Sequence, residues 1–397
     1  MLTVLIHCWV SGVIGDITTT NAKIETGHVK IMTRAYADLA AQLPNDLAVF
    51  GLSSVLTELK QKYPDLEWVP RIKYGGLLDI PDENGETRSQ GPVLGLGIDL
   101  FSAHSSERER LNLEQSLVRG NLPRAAGEIL ISEQFAQRLG VQLGETATLI
   151  SATSNGSMAI HNFIVVGTIR FGIGAMDRNA MLADVADIQY ALDMDDTAGE
   201  ILGFFPNLQY QEKQALSIAN SFRAAHQNHD DEFGLIMLTL RDQNGLGKYL
   251  DMVNTWIMLF VSGFVVVMSI VLWNTGLMSG IRRYGEMGVR LAIGESKGHV
   301  YRTLVYESVL IGTMGSILGT FVGLGISYYL QEVGVDISTM MQGASLLIST
   351  VLRAKITPPA LYIGFIPGVL ATVFGALMAG IGIFKRQTSQ LFKELEV

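Results

Sequence analysis

Residues 281–302 hold the side chains whose types and spacing bear most directly on chemistry. Glu286 and Arg290 lie four apart, the separation that puts two side chains on one helix face, and Arg283 precedes Glu286 by three. Met287, Leu291 and Ile293 supply apolar positions able to dock, and Gly285, Gly288 and Gly294 stand among them. Ion pairs around a small apolar seat are docking chemistry, not bond-breaking chemistry. A solvated basic loop would explain the arginines alone, but not the glycines beside ordered apolar positions. Glu307 follows in the first turn of an apolar segment, where the helix dipole stabilises an anion. An acid at membrane depth is a candidate functional group. A structural role, pairing with Arg302 or with the 281–302 segment, accounts for Glu307 better than a proton relay.

Elsewhere the sequence offers no catalytic, cofactor-binding or metal-binding residue. Gly247-Lys248 is followed by Tyr249 and lacks the leading glycine of a phosphate-binding loop. Gly95-Leu-Gly97 is too little for a dinucleotide site, and neither H-E-x-x-H nor G-x-S-x-G occurs. His226, His229, Asp230, Asp231 and Glu232 have metal-ligand side chains, but they read as a polar, solvated loop.

A membrane is needed to position the docking segment. The chain has 397 residues, 48% hydrophobic and only 17% charged, below the roughly 25% charged of ordinary soluble domains. The deficit is local: residues 16–251 carry 31 acids and 19 bases, whereas 252–397 carry 7 acids and 10 bases. That split argues against a single soluble globule, a disordered chain or a nucleic-acid binder. Uncharged windows of 30, 24 and 29 residues occupy 252–281, 308–331 and 356–384, each long enough to cross a hydrocarbon layer of roughly 30 Å. Residues 1–15 are apolar but span only about 22 Å as a helix. The expectation there is the outer half of a transmembrane helix whose cytoplasmic start precedes residue 1. A short helix tolerated through bilayer thinning or a partner subunit is the alternative.

Arg282, Arg283, Arg290, Lys297 and Arg302 separate the second and third apolar segments, and Lys385, Arg386 and Lys393 follow the last. Both groups belong in the cytoplasm by the positive-inside rule, which turns the large domain outward. The predicted plan is then a first span at 1–15, an outer domain with stalk helices at 16–251, and a second span at 252–280. A cytoplasmic coupling helix at 281–303, a third span at 304–330, an outer connection at 331–355, a fourth span at 356–384 and a cytoplasmic tail at 385–397 complete it. Met340 and Met341 in the outer connection read as interface packing. Cys8 is the only cysteine, so no intrachain disulfide can form.

The outer domain reads as α+β. Strands are predicted at 28–33, 67–80, 92–99, 128–132, 146–151, 163–170, 180–183, 200–205 and 234–240, and helices at 53–62, 133–139 and 210–226. The outer blocks repeat strand, helix, strand, which suggests a split β-α-β architecture with a subdomain inserted between its halves. Helical periodicity resumes near Asp242 and runs into the second span without a proline. In the third span Gly315, Gly319 and Gly323 recur every four residues, and Gly364 and Gly368 repeat the spacing in the fourth, faces that permit close helix contact.

The stretch Ile281-Arg-Arg-Tyr-Gly-Glu-Met-Gly-Val-Arg-Leu-Ala-Ile-Gly294, with Glu307 after it, resembles the permease signature of the MacB/FtsX superfamily of ABC transporters. The block 128–145 resembles that family's periplasmic core domain. Thr26-Gly-His-Val-Lys-Ile is similar to lipoprotein-releasing, LolC/LolE-like permeases. The resemblance implies a non-catalytic permease subunit in the bacterial inner membrane, with its large domain in the periplasm. It implies that Arg283, Glu286, Met287, Gly288, Arg290, Leu291, Ala292 and Gly294 seat in a separate cytoplasmic ATPase that holds the ATP and Mg. It further implies a second permease subunit, identical or paralogous, and a periplasmic cargo such as a lipoprotein. Efflux of drugs, peptides or toxins with a periplasmic adaptor, or a membrane-anchored sensor or scaffold, are the alternatives.

Overall fold

The computed structural model describes residues 1–102, 105–172, 174–226, 231–336 and 351–385. Expectations for Met340, Met341, His229, most of the outer connection and the tail beyond Lys385 lie outside them. Two compact units emerge: one from Met1–Gly15, Leu250–Val335 and the chain from Val351, the other from Asp16–Tyr249.

The main sheet of the second unit has ten described strands: β1 (Val29–Thr33), β2 (Glu67–Pro81), β3 (Thr87–Ile98), β4 (Leu117–Gly120), β5 (Glu128–Ser132), β6 (Thr146–Ala152), β7 (Met158–Ile169), β8 (Ala180–Asp184), β9 (Glu200–Phe204) and β10 (Leu235–Thr239). They run in the order β10-β1-β9-β2-β3-β8-β5-β7-β4, and β6 pairs with both β2 and β7. Among the described pairings β3/β8 and β5/β7 are parallel. The 15-residue β2 serves two structures. Its first residues, Glu67–Arg71, pair with β9, while Ile72 onward pairs with β3 and Leu77–Asp79 with β6.

One structure is therefore the four-strand run β10-β1-β9-β2, packed against helices Leu52–Lys62 and Glu212–Ala225. Val29, Ile31, Leu59, Trp68, Phe222 and Met237 are buried in that core, each apolar side chain contributing roughly 1.5–3 kcal/mol. The other is a ring, β2-β3-β8-β5-β7-β6 and back to β2, filled by Ile72, Leu78, Ile129, Phe135 and Phe163. Closing a sheet on itself removes the exposed edges at which chains aggregate. Helix Glu133–Leu139 ends on Gly140 at φ +68°, a left-handed turn that glycine makes without steric cost.

Among the described residues, four helical segments are long and apolar enough to cross a membrane: Leu2–Thr26, Leu246–Ser279, Lys297–Val333 and Pro358–Ile381. Their outlines correct the sequence reading in several places. The first helix does not stop at residue 15; it runs Leu2–Asn21 and continues as a π turn at Ala22–Thr26. Asp16 and the threonines after it change polarity without a proline to break the backbone, so the charge-based boundary fell short. The second helix is unbroken over Leu246–Arg282, 37 residues, or about 55 Å. The third begins at Lys297, capped by the Ser296 side chain, rather than at 304. The fourth segment is not one helix: a 3-10 turn at Pro358–Leu361 and a π turn at Ile366–Leu370 precede the α-helix Ala371–Lys385. Pro367 cannot donate a backbone hydrogen bond and its ring crowds the preceding turn.

Candidate functional site

The docking segment forms a helix, Tyr284–Ala292, that turns off the end of the second apolar helix at Arg283. Two contacts hold it to its own unit. The Tyr284 hydroxyl donates to the Ala379 carbonyl at 2.8 Å. Tyr284 and Met287 are buried with Val300, Leu304 and Ala376, and Leu291 packs on the same cluster. The helix ends on Gly294 at φ +103°, after which the Ser296 side chain accepts from the His299 N–H and starts the third helix.

Arg283 occupies the corner. Its Nη1 donates to Glu307 Oε2 at 2.6 Å and its Nε to Glu286 Oε2 at 3.1 Å. Glu307 therefore pairs with the docking segment, as expected, and the partner is Arg283 rather than Arg302. Glu286 likewise takes Arg283, three residues back, in place of Arg290. Arg290 is exposed, and no ion pair engages it among the described residues.

The two faces of the helix divide the predicted docking residues. Glu286, Val289, Arg290, Ala292, Ile293 and Gly294 are exposed, Ile293 at 82%. Met287, at 5% exposure, and Gly288 are turned inward. The expectation that Met287 and Leu291 are available to dock is corrected: their period matches the inner face, because an amphipathic helix at a bundle end uses its strongest apolar positions against the bundle. Val289, on the exposed face, is the residue that sequence spacing missed.

Small residues line the contacts among the apolar segments, but the row is shifted from the one predicted. The buried face of Lys297–Val333 carries Gly312, Ser316, Thr320, Gly323 and Ser327. A side chain on Gly312 would run into Gly368 and Thr372, and one on Gly368 into Ser316. Gly364 faces Thr320, while Gly319 and Gly323 face Met1 and Val4. Gly315 faces open space, so its predicted packing role is not seen among the described residues. Serine and threonine fill the same seam as glycine, and a glycine-only pattern misses them.

The sequence reading also missed a set of buried charges in the sheet unit. Lys30 Nζ lies 3.0 Å from Glu200 Oε2, and Lys73 Nζ lies 3.1 Å from the same oxygen and 2.6 Å from Glu25 Oε1. Arg71 Nε donates to Glu107 Oε2 at 2.7 Å, and its Nη atoms reach the Lys23 and Ile24 carbonyls at 2.7 and 2.9 Å. Arg110 pairs with Glu107 and Glu67. Gln243 Nε2 donates to the Thr26 carbonyl at 3.1 Å. Arg71 and Lys73 thus fasten residues 23–25 to β2, and Gln243 joins Thr26 to residue 243. Burial lowers the Lys30 pKa to about 8 against the pull of Glu200. Burial acts on Lys73 too, but Glu200 and Glu25 outweigh it and raise that ammonium's pKa. Single lysines and glutamates scattered over 180 residues carry no local signal, since only the fold brings them together. Among the described residues no group of three or more His, Cys, Asp or Glu side chains is placed to hold a metal.

Residues 258–388 match the FtsX-like permease C-terminal family. The chain is 21% identical over 254 residues to the lipoprotein-releasing system transmembrane protein LolC of Haemophilus influenzae, covering 62% of this chain and 59% of LolC. It is 29% identical over 107 residues to the macrolide export ATP-binding/permease protein MacB 1/2 of Paracoccus denitrificans, covering 27% of this chain and 16% of that protein. The chain thus spans less than two thirds of these relatives. The periplasmic region of MacB from Actinobacillus actinomycetemcomitans aligns with 58% of this chain and 95% of its own at a TM-score of 0.38 and 13% identity.

Proposed function

Starting from an FtsX-like permease domain at residues 258–388, we propose that the chain is the permease subunit of an ABC transporter. A separate cytoplasmic ATPase binds ATP and Mg, and its closure is converted into movement of the 16–251 domain outside the inner membrane. The observation that carries this reading is the two-faced helix Tyr284–Ala292. Tyr284 and Met287 lock one face to the bundle, while Glu286, Val289, Arg290 and Ile293 leave the other open to a partner. The helix Leu246–Arg282 is unbroken by proline and ends at this segment, which suits a mechanical coupling. The strand order β10-β1-β9-β2, with its two helices, supports a split β-α-β domain carrying an inserted ring.

Lipoprotein release is the cargo reading, supported by the LolC similarity over 62% of the chain. A second permease subunit, identical or paralogous, completes the assembly. Efflux with a periplasmic adaptor is the second reading, and the similarity to MacB favours it. A polar pore fits neither: within residues 2–15, 252–280, 304–330 and 358–381 the strongly polar side chains are His7, Asn254, Asn274 and Glu307, too few for a water-lined route.

Arg290→Glu tests the coupling. It should insert normally and abolish transport-linked stimulation of the partner ATPase in reconstituted membranes; full stimulation would reject the docking face. Cysteines introduced at Gly85 and Lys297 should label from opposite sides of the membrane, against a silent background because Cys8 is buried. Depletion followed by lipoprotein fractionation separates the cargo readings. Normal lipoprotein distribution with raised drug or peptide sensitivity favours efflux.

A further inference from the structure

The outer face of the ring carries apolar side chains that the strand register sets side by side. Leu77 lies opposite Ile150, and Ile150 opposite Ile160, on the adjacent strands β2, β6 and β7. Met158 precedes Ile160 by two residues and shares its face, because side chains alternate along a strand. The alternate set, Leu78, Leu149 and Ala159, fills the core, so this one points away from it. Leu77 is 40% exposed, Ile160 64% and Met158 73%. Large apolar side chains left to water next to one another mark a surface built for contact.

Both ends of the patch are polar and acidic. Toward the β2–β3 turn, the next row across the same strands is Asp79, Thr148 and Asn162. Asp82, Glu83 and Glu86 follow in the turn itself. At the opposite end, Gly75 and Ala152 line a cleft of about 660 Å³ against residues 42–47, where Asp46 is exposed. Basic side chains are scarce here. Residues 74–94 and 146–164 contain one lysine or arginine, Arg88, and Glu145 takes its two Nη atoms at 2.9 and 2.8 Å. From Gly75 to Asp79 the apolar strip is about 13 Å long, with a negative group at each end.

That pattern selects the occupant. Leu77 and Ile150 belong to strands paired on both sides, so the middle of the face has no backbone group to offer. A docked segment must satisfy its own backbone, and a helix does. A second copy would set the same carboxylates against each other, which costs affinity, and an anionic bilayer surface would be repelled likewise. We propose that this face docks an amphipathic helix of a second protein, apolar along the middle of one side and carrying lysine or arginine at both ends. About nine helical residues match the strip. The basic ends then meet Asp46 on one side and Asp79 with the β2–β3 turn on the other. The inference does not depend on the permease reading, since every residue it uses belongs to the sheet unit.

Full-length protein in phosphatidylcholine nanodiscs tests it. The probe is a stapled helical peptide of about 17 residues, with leucines along its middle, lysines in its first and last turns and one photo-leucine. Its counterpart carries glutamates for the lysines. On irradiation the lysine peptide should label segments containing Leu77, Ile150, Met158 or Ile160 saturably, and the glutamate peptide should not. Ile160→Glu changes an exposed side chain and should weaken binding more than about tenfold with the melting temperature unchanged. Glu83→Lys with Glu86→Lys should weaken the lysine peptide about fivefold and strengthen the glutamate peptide. The proposal is overturned if neither peptide labels these segments, if the two bind alike, or if Ile160→Glu binds like the parent. A drop in particle mass on Ile160→Glu would give the face to a second copy, and labelling of these segments by a diazirine phosphatidylcholine would give it to the bilayer. Either result also overturns it. None of these outcomes bears on ATPase stimulation by the Arg290 face.

Discussion

Arg283 Nη1 stands 2.6 Å from Glu307 Oε2, and this contact ties the corner of the docking segment to the helix that follows it. The same guanidinium reaches Glu286, so one planar fork serves carboxylates from the short helix and the long one. All three side chains are partly exposed, and pairs of that kind contribute little to stability in water. The contact's consequence is geometric. It sets the angle at which Glu286, Val289 and Arg290 face outward, as the proposed docking face requires if it is to transmit force.

Reversing one charge should therefore disturb coupling more than folding. Arg283→Glu or Glu307→Arg alone should lower ATPase stimulation in reconstituted membranes about tenfold, and the double swap should return it to within about threefold of the parent. A double variant no better than either single one would remove the pair from the coupling path.

Two glycines three residues apart in one helix should respond oppositely to the same substitution. Gly312→Leu drives a side chain into Gly368 and Thr372, and it should destabilise the unit by about 1–3 kcal/mol or prevent its assembly. Gly315→Leu points into open space and should melt like the parent. Equal melting temperatures for the two variants would contradict the seam through Gly312, Ser316 and Thr320.

Much of this architecture was legible from periodicity. Helix Glu133–Leu139 falls on its predicted residues, and strands such as Glu128–Ser132 and Thr146–Ala152 lie within a residue of theirs. Alternation, proline breaks and glycine caps are local signals, and local signals survive in a single sequence. Helix ends in the membrane were less legible, because charge marks the edge of the hydrocarbon and not the end of the backbone spiral. Asp16 and Lys297 both lie inside helices. The inward turn of Met287 and the pairing of Lys30 with Glu200 depend on contacts between distant elements, which spacing along the chain does not encode.

Glu200 neutralises two buried lysines at once, so removing its charge should be costly. Glu200→Gln leaves Lys30, 2% exposed, beside an uncharged amide and strips Lys73 of one partner. A loss of about 3–5 kcal/mol is expected in chemical denaturation of the full chain. Adding Lys30→Met should recover a substantial part of it, because the unpaired buried ammonium is then gone. A double variant as unstable as Glu200→Gln would show that the lost stability came from elsewhere.

His28 should make the same unit sensitive to acid. It is 1% exposed, its ring stacks on Phe205 with centroids 5.1 Å apart, and its Nδ1 accepts the Phe205 N–H at 2.9 Å. An imidazole whose Nδ1 accepts that bond cannot also carry a proton there. Burial is the main reason its pKa falls from 6.5 to about 4, with a backbone hydrogen bond at Leu208 opposing the shift. Between those values the unfolded chain binds a proton that the folded chain refuses. The stability contributed by His28 is therefore complete above about pH 6.5 and is lost as pH falls toward 4, by an amount on the order of 3 kcal/mol. Carboxylates add their own acid dependence, so a difference between two proteins is needed. His28→Asn keeps an acceptor for the Phe205 N–H and does not titrate. Melting temperatures at pH 7.5 and 4.5 should fall less for His28→Asn than for the parent. Identical falls in the two proteins would mean that His28 is not the group that senses acid.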